Sequence, residues 1–280
     1  MLRSGLVGRE ILASRSPWLH EQEARALGMQ LTYELFDFKA RGLADESLGQ
    51  LLRRLLEEGY CGVNVTHPFK TAVIPLLDAV DDGALAVGAV NTVAMHEGRL
   101  VGYNTDMAGF RDSFAAELPG ASLTNVLQLG AGGAGAAVAC ALLSLGAQRL
   151  TIADVRRERA DQLAARLGAR FPKARVESCG VDSIGTSGLG GVVNTTPIGM
   201  VSHPGSPLDP GLLRPDLWVA DVIYFPLETE LLREAQRIGC RVLNGSGMVI
   251  RQAALAFQIL TGRTPDLQRM ARSFSEGARP

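Results

Sequence analysis

The sequence predicts an α/β protein of two domains, each built around a mainly parallel β-sheet with helices on its faces. Strand-like and helix-like patterns alternate along the 280 residues, a length that suits one large or two modest domains. Hydrophobic residues make up 46% of the chain and glycines number 32, a composition typical of α/β proteins. A glycine-rich segment between two apolar runs, from Asn125 to Asp154, is the strongest single indication of this fold class.

Residues 1–105 carry the first set of predicted elements. Pro17 fits the first turn of a helix that Ser16 would cap and that ends near Leu27. Leucines from Leu48 to Leu56 form a helical stripe, which predicts a helix over Ser47–Glu58. The other expectations are strands at Leu6–Val7, Leu31–Phe38 and Gly62–Val65, a helix at Phe69–Leu77, and a hairpin of Asn91–His96 with Arg99–Tyr103.

Residues 106–243 continue the alternation of strands and helices. A helix is expected from Asp106 to Leu118, because Pro119 and Gly120 then end it. A charged helix should run from Arg156 to about Phe171, and the glycine-rich Ser183–Gly191 should form a loop. The other expectations are strands near Val176 and at Gly191–Asn194, Leu217–Asp221 and Arg241–Leu243, and helices at Thr229–Ile238 and Ser246–Leu260.

The segment from Asn125 to Asp154 has the order strand, glycine turn, helix, strand and acid. Its turn, residues 130–135, reads GAGGAG and has the GxGxxG spacing of dinucleotide-binding proteins. Gly130 permits a tight turn, Gly132 permits close approach of a pyrophosphate, and Gly135 permits close packing of helix on strand. Because the helix N-terminus offers free N–H groups to an anion, the segment predicts a dinucleotide site rather than a purely structural turn.

Composition excludes several classes of function. The net charge is −1, from 28 basic and 29 acidic residues, so no overall field favours nucleic acid or a membrane surface. No apolar run reaches the roughly 18 residues that a membrane span requires. The four cysteines (Cys61, Cys140, Cys179 and Cys240) are scattered without a CxxC pair, which predicts reduced thiols, no metal site and a cytoplasmic protein.

Four polar clusters stand at the ends of predicted strands, where open α/β sheets bind ligands. They are Ser14–Pro17, Asn64–Lys70, Gly88–Thr92 and Tyr103–Asp106. The hydroxyls of the first cluster suit a carboxylate, although the local pattern alone favours a helix cap at Ser16. The alternatives elsewhere are a solvated surface role for Lys70, a turn role for Asn91 and a helix N-cap role for Asp106.

Lys70 and Asp106 together form a candidate proton-transfer pair. Oxidation of an alcohol by a nicotinamide needs a hydride acceptor and a group that removes the hydroxyl proton. A lysine beside a carboxylate can share that proton, since burial lowers the lysine pKa while the carboxylate opposes this shift. The four histidines stand in no triad-like or metal-like arrangement, and we expect packing, capping or loop roles for them.

Eight motifs occur in the order found in the shikimate dehydrogenase family. They are SRSP with His20, NVTHPFK, GAVNT, GYNTD, GAGGAG, VVNTTPIGM, DVIYFPLET and NGSGMVIRQAALAF. The chain therefore resembles this family over nearly its full length. The resemblance implies a substrate-binding and catalytic domain of residues 1–105, completed by C-terminal helices within 244–280, and a Rossmann domain of residues 106–243. It also implies NAD(P)-dependent oxidation of the 3-hydroxyl of shikimate, or reduction of 3-dehydroshikimate.

The resemblance also assigns roles to individual residues. Lys70 and Asp106 match the catalytic pair of the family. The substrate-binding positions are Ser14 and Ser16 for the carboxylate, and Thr66, Asn91 and Gln252 for the ring hydroxyls. The cofactor-binding positions are Gly130, Gly132, Gly133, Ala134, Gly135, Asp154, Arg159, Thr195, Pro197, Met200, Val222 and Gly245. A small-molecule substrate is the expected partner, and the chain is expected to be a monomer or a homodimer.

Asp154 departs from the pattern of the NADP-dependent enzymes of the family, which carry Asn-Arg-Thr after the second strand. A carboxylate can accept hydrogen bonds from both ribose hydroxyls of NAD but repels a 2′-phosphate, by about 4 kcal/mol at 4 Å and an effective dielectric near 20. With Leu12-Ala13 ahead of SRSP, Asp154 makes the chain most similar to the NAD-dependent quinate/shikimate dehydrogenases. The alternatives are a biosynthetic NADP-dependent enzyme, which a mobile Arg156, Arg157 or Arg159 would favour, and a non-catalytic nucleotide-binding relative.

Overall fold

The computed structural model describes residues 1–185 and 188–276. Contacts between Cα atoms divide the chain into two compact units. The first unit comprises residues 1–105 together with 250–280, and the second comprises residues 106–249. Each unit has its own sheet and its own core, so the predicted α/β class holds in both.

The sheet of the first unit is mixed. Its strands are β1 (Leu2–Gly8), β2 (Leu31–Asp37), β3 (Gly62–Val65), β4 (Ala79–Val80), β5 (Thr92–His96) and β6 (Arg99–Tyr103). They lie in the order β2-β1-β3-β5-β6-β4, with β1 parallel to both β2 and β3. Strands β5 and β6 form the expected hairpin, which turns at Glu97-Gly98. Strand β5 also pairs with β3 in antiparallel register.

Helices cover this sheet and supply one side of its core. They include α1 (Ser16–Ala26), α2 (Leu48–Glu57) and α3 (Asp82–Val87). The leucine stripe of α2 is buried, as its spacing predicts, and packs with Val63, Val65 and Phe69. Burial of this apolar stripe, rather than helix propensity alone, fixes α2 on the sheet.

The second unit has a fully parallel sheet. Its helices include α4 (Thr105–Glu117), α5 (Gly133–Ser144), α6 (Arg157–Arg170) and α7 (Glu230–Ile238), and α8 (Ser246–Thr261) crosses its C-terminal boundary. Its strands are β7 (Asn125–Leu129), β8 (Arg149–Ala153), β9 (Arg175–Cys179), β10 (Gly191–Asn194), β11 (Trp218–Asp221) and β12 (Arg241–Leu243). Read from β9, the order is β9-β8-β7-β10-β11-β12, the doubly wound order in which ligands bind where β7 meets β10.

The C-terminal part of the chain is held within the first unit by a buried ion pair. Helix α9 (Leu267–Glu276) follows α8, and Arg269 donates from two nitrogens to the Glu23 carboxylate of α1, at 2.8 and 2.7 Å. Glu23 is only 1% exposed and also accepts from the backbone N–H of Asp266 at 2.8 Å. Removal of either partner would leave a buried charge uncompensated or a guanidinium without its acceptor, so the contact anchors α9 on α1.

One expectation for the first unit is wrong, and one of its helices was not expected. Phe69–Leu77 is not an α-helix but a series of turns followed by a short 3₁₀ helix at Ile74–Leu76, and Pro75 restricts a continuous helix there. Helix α3 was not expected, although Asp81 caps it by accepting from the backbone N–H groups of Gly83 and Ala84. The expected loop Ser183–Gly191 includes residues 186 and 187, which lie outside the described residues.

The described residues have three further features. The four cysteines are free thiols, with Cys140 and Cys240 buried and the other two half-buried. Across residues 1–185 and 188–276, no grouping of His, Cys, Asp and Glu has the geometry of a metal site. Within the same ranges, no helix combines the length and apolar character that crossing a bilayer requires.

Candidate active site

The glycine turn after β7 has the backbone geometry that its sequence predicts. Gly130 has a φ of +101°, and its N–H donates to the Ala153 carbonyl at 2.7 Å. A Cβ on Gly130 would lie 2.7 Å from Thr195 Oγ1, and one on Gly135 would lie 2.5 Å from the Gly130 carbonyl oxygen. Gly130 and Gly135 are therefore required by the fold itself.

Gly132 differs from its two neighbours in the motif. It has an ordinary φ of −78°, and a Cβ built on it would meet no atom within 4 Å. It is the N-cap of α5, and no side chain caps the first N–H groups of this helix, which include those of Gly133 and Ala134. The fold does not need glycine at 132, whereas an anion at the helix N-terminus does.

Asp154 lies beside this turn, at the end of β8. Its carboxylate accepts from the Ala131 N–H at 2.7 Å and from the Arg156 N–H at 2.8 Å. The two backbone donors fix its orientation while the side chain stays only partly buried. Each carboxylate oxygen keeps a free lone pair for a ribose hydroxyl.

The arginines after Asp154 are exposed on the surface of the second unit. Arg157 is engaged with Asp161 of α6, with 2.7 Å between Nε and Oδ1. Arg159 lies in the first turn of α6 and is exposed, as is Arg156 ahead of the helix. Arg156 and Arg159 are exposed cations close to Asp154 in the chain, and a guanidinium is a suitable partner for a 2′-phosphate.

The loops after β10 and β11 are joined by a buried polar network. The Asn194 amide nitrogen donates to the Ile198 carbonyl at 3.0 Å and to Asp221 Oδ1 at 3.1 Å. Asp221 Oδ2 accepts from the Thr229 hydroxyl at 2.9 Å. Burial raises the pKa of Asp221 to about 6, against the opposing effect of its hydrogen-bond donors.

The other cofactor positions on these loops differ in exposure. Thr195 is buried and donates its hydroxyl to the Leu129 carbonyl at 2.7 Å, which joins the ends of β7 and β10. Pro197 and Met200 are exposed on the same loop. Val222 and Gly245 come together, because a Cβ on Gly245 would lie 2.1 Å from the Val222 carbonyl oxygen.

A chain of hydrogen bonds crosses the first unit and begins beside the SRSP motif. Ser14 Oγ donates to Ser16 Oγ at 3.2 Å, and the Ser16 side chain lies near the Tyr33 hydroxyl. The N-cap of α1 is Arg15, without a side-chain cap, so the alternative in which Ser16 caps the helix is wrong. Both serines are partly exposed and keep hydroxyl groups for a ligand.

The chain continues through buried amides and hydroxyls. Tyr33 donates to Asn64 Oδ1 at 2.8 Å, and Asn64 donates to Thr92 Oγ1 at 3.0 Å. The Asn91 amide accepts from Thr92 Oγ1 at 3.1 Å and donates to Thr105 Oγ1 at 2.9 Å. Thr105 Oγ1 also donates to Gln252 Oε1 at 3.3 Å. Two of the expected substrate-binding residues, Asn91 and Gln252, thus belong to one connected network, and two others, Ser14 and Ser16, form a hydrogen-bonded pair beside it.

His20 packs against this network as a neutral ring. It is 2% exposed and stacks on Tyr33, with 4.7 Å between ring centroids. Burial lowers the pKa of His20 to about 4. The expectation of a packing role therefore fits the position of His20, and the network around it carries no net charge.

Thr66 and Lys70 lie on the segment that follows β3. Both are partly exposed, and Val90 donates its N–H to the Lys70 carbonyl at 2.8 Å, which ties this segment to the loop that precedes β5. Asp106 begins the second unit. Because α4 starts at Thr105, Asp106 lies in its first turn, 7% exposed, rather than at the N-cap.

Three buried network residues were not expected from the sequence. Tyr33 and Thr105 connect the expected substrate positions, and Gln128 donates to the carbonyls of Gly130 and Gly135, both at 2.9 Å. Gln128 is fully buried in β7. A polar residue inside an otherwise apolar strand was the available signal for it, since buried polar groups require specific partners.

The second unit has the features that a dinucleotide requires. It offers an uncapped helix N-terminus, open space above Gly132, an oriented carboxylate at Asp154 and a crevice at the switch point of the sheet. With the neutral hydroxyl and amide network of the first unit, these features define a dinucleotide-dependent enzyme that acts on a polyhydroxylated small molecule.

Comparison with known proteins assigns the family. Residues 6–93 match the shikimate dehydrogenase substrate binding domain, and residues 245–273 match the shikimate 5′-dehydrogenase C-terminal domain. A shikimate dehydrogenase (NADP(+)) of Streptomyces avermitilis is 48% identical over 97% of this chain and 94% of its own length. A quinate/shikimate dehydrogenase (NAD(+)) of Corynebacterium efficiens is 43% identical over 96% of each chain.

Solved structures agree with this assignment. The quinate dehydrogenase from Corynebacterium glutamicum in complex with NAD superimposes with a TM-score of 0.92 and 41% identity, over 98% of this chain and 99% of that one. The chain belongs to the shikimate dehydrogenase family of nicotinamide-dependent oxidoreductases. Both NAD and NADP occur among the named relatives.

Proposed function

We propose that this enzyme uses NAD to oxidise the 3-hydroxyl of shikimate, of quinate, or of both, in a reversible reaction. The supporting observation is the position of Asp154, which contacts the glycine turn through Ala131 and keeps free lone pairs for ribose hydroxyls. A 2′-phosphate at the same place would meet a like charge, and even a third of the 4 kcal/mol repulsion gives roughly tenfold discrimination.

Substrate binding and cofactor binding are assigned to separate domains. Residues 1–105, with the C-terminal helices, form the substrate-binding domain, and residues 106–243 form the dinucleotide-binding domain. Ser14 and Ser16 hold the substrate carboxylate through their hydroxyls. Thr66, Asn91 and Gln252 hydrogen-bond the ring hydroxyls.

The proton chemistry is assigned to two residues. Lys70 and Asp106 orient the reacting hydroxyl and take up its proton, while the bound nicotinamide supplies the hydride acceptor. In the reverse direction the same pair returns the proton to the carbonyl oxygen. The nicotinamide end of the cofactor site is lined by Thr195, Pro197, Met200, Val222 and Gly245. The proposal also includes a cytoplasmic location for the enzyme.

Substitution of Asp154 tests the coenzyme proposal. Asp154→Asn keeps an acceptor for the Ala131 N–H but removes the charge, so kcat/KM with NAD should fall and kcat/KM with NADP should rise. The ratio of the two should shift at least tenfold toward NADP. Asp112→Asn, an exposed aspartate of α4, is the matched control and should leave the ratio unchanged. An unchanged ratio in Asp154→Asn would reject the proposal.

An NADP-dependent biosynthetic enzyme is the second candidate. The observations that favour it are the 48% identity to the NADP(+) enzyme of Streptomyces avermitilis and the exposed Arg156 and Arg159. An arginine can bind a 2′-phosphate and compensate for the repulsion of Asp154. If this candidate is correct, Arg156→Ala or Arg159→Ala should raise the KM for NADP at least tenfold and leave the KM for NAD unchanged.

A further inference from the structure

Asp221, the last residue of β11, is a buried carboxylate without a cationic partner among the described residues. It is 2% exposed. Its donors are the Ile223 N–H at 3.0 Å, the Asn194 amide at 3.1 Å and the Thr229 hydroxyl at 2.9 Å, all of them uncharged. Burial of an unpaired carboxylate is unfavourable, even when hydrogen bonds satisfy its oxygens.

The hydrogen bonds alone do not account for a charged residue at this position. An asparagine would accept from the Ile223 N–H and the Asn194 amide through its oxygen and donate to Thr229 through its nitrogen. A neutral side chain of almost the same shape would therefore join the two loops equally well. What only aspartate adds is a negative charge inside the second unit.

The position of that charge indicates what it acts on. Asp221 ends β11 in the half of the doubly wound sheet that follows the switch point, where the second mononucleotide of a dinucleotide binds. The loops that it joins carry Thr195, Pro197, Met200 and Val222, which the proposed function places at the nicotinamide. The oxidised nicotinamide ring is a cation and the reduced ring is neutral, so a negative charge there distinguishes the two forms.

We propose that Asp221 sets the preference of this enzyme between oxidised and reduced cofactor, with its buried negative charge favouring the cationic nicotinamide of NAD⁺ over the neutral ring of NADH. The inference rests on the proposed use of NAD and deepens it. Asp221 acts through its field rather than by contact with the reacting atoms. A unit charge at about 10 Å, through an effective dielectric near 20, changes a binding ratio roughly tenfold.

The test compares dissociation constants in wild type and Asp221→Asn at pH 8. NADH binding is followed by its fluorescence and NAD⁺ binding by calorimetry, so no turnover is required. The ratio Kd(NAD⁺)/Kd(NADH) should rise roughly tenfold in Asp221→Asn, mainly through weaker NAD⁺ binding. An equal change in both constants, or no change, would overturn the proposal.

Thr229→Val distinguishes the effect of the Asp221 charge from the effect of the hydrogen bonds that connect the loops. It removes one hydrogen bond of Asp221 and the cap of α7 while it leaves the carboxylate charged. Any loosening of the loops should change both constants by the same factor and leave the ratio unchanged. A rise of the ratio in Thr229→Val equal to that in Asp221→Asn would assign the effect to loop geometry and overturn the charge proposal.

The same titrations distinguish this inference from the proposed function. If wild type binds neither NAD⁺ nor NADH, the proposed use of NAD fails and the role of Asp221 fails with it. If wild type binds both and Asp221→Asn keeps the wild-type ratio, only the role of Asp221 fails.

Discussion

Asp221 is also the group whose ionisation should reduce the stability of the second unit. Burial raises its pKa from the ordinary 3.8 to about 6. A raised pKa of an acid means that the folded state holds the proton more tightly, so the charged form is the destabilised one. The loss of folding free energy that ionised Asp221 causes is fully present above pH 6 and disappears as the pH falls to 4. The difference between 3.8 and 6 corresponds to about 3 kcal/mol at 1.36 kcal/mol for each pH unit.

Asp221→Asn should therefore be more stable than wild type at pH 8. The 3 kcal/mol is already net of the hydrogen bonds to the charged carboxylate, since these bonds lower the pKa that burial raises, so the expected gain is about 3 kcal/mol. The gain should shrink between pH 6 and pH 4, where wild-type Asp221 also becomes neutral. A buried charge kept at this cost fits a residue retained for function rather than for stability.

Urea unfolding from pH 4.5 to pH 8 measures this gain. Trp218 is buried in the second unit, and a Trp18→Phe background makes it the only tryptophan that reports unfolding. Asp37→Asn is the contrasting control: burial alone would raise the pKa of Asp37, but four backbone N–H donors outweigh it and lower the pKa. That variant should lose stability at pH 8. A gain for Asp221→Asn that is independent of pH, or a loss at pH 8, would refute the reasoning.

Three further substitutions test the proposed site. Gly132→Ala should weaken NAD⁺ binding at least tenfold, because its methyl group would occupy the space that an anion at the helix N-terminus needs, and it should not reduce stability, because that space contains no protein atom. Gly168→Ala in α6 is the control and should leave NAD⁺ binding unchanged. Equal NAD⁺ affinity in the two variants would contradict this prediction. Tyr33→Phe should raise the KM for substrate several-fold with kcat nearly unchanged, because it removes the buried hydroxyl that donates to Asn64. Tyr60→Phe, which removes a hydroxyl bonded to Glu34, should leave both constants unchanged in steady-state assays. Lys70→Ala should lower kcat roughly 10²-fold or more in initial-rate assays, and unchanged turnover would reject its role in proton transfer.

The sequence was most informative where local chemistry alone sets the structure. Gly130 and Gly135 occupy the strained and crowded positions that their spacing predicts, and the strand at Gly191–Asn194 has the expected bounds. The parallel order of the second sheet follows from strands that alternate with helices. These features depend on residues close together in the chain.

Features that depend on distant residues were not predictable from local patterns. Phe69–Leu77 has a helical composition, but Pro75 and the packing of Val73 favour turns and a short 3₁₀ helix. Tyr33 is unremarkable in its strand, and only the fold brings its hydroxyl to Asn64, which lies 31 residues further along. The charge of Asp221 likewise becomes unusual only once its burial is known.

The central claim is that this enzyme is an NAD-dependent dehydrogenase of shikimate, quinate or both. Initial rates with each substrate and each coenzyme, in all four combinations, test it most directly. The structure around Asp154 predicts turnover with NAD on at least one of the two substrates, with kcat/KM at least tenfold above that with NADP. A higher kcat/KM with NADP than with NAD would contradict the coenzyme assignment, and no turnover in any combination would contradict the proposed activity itself.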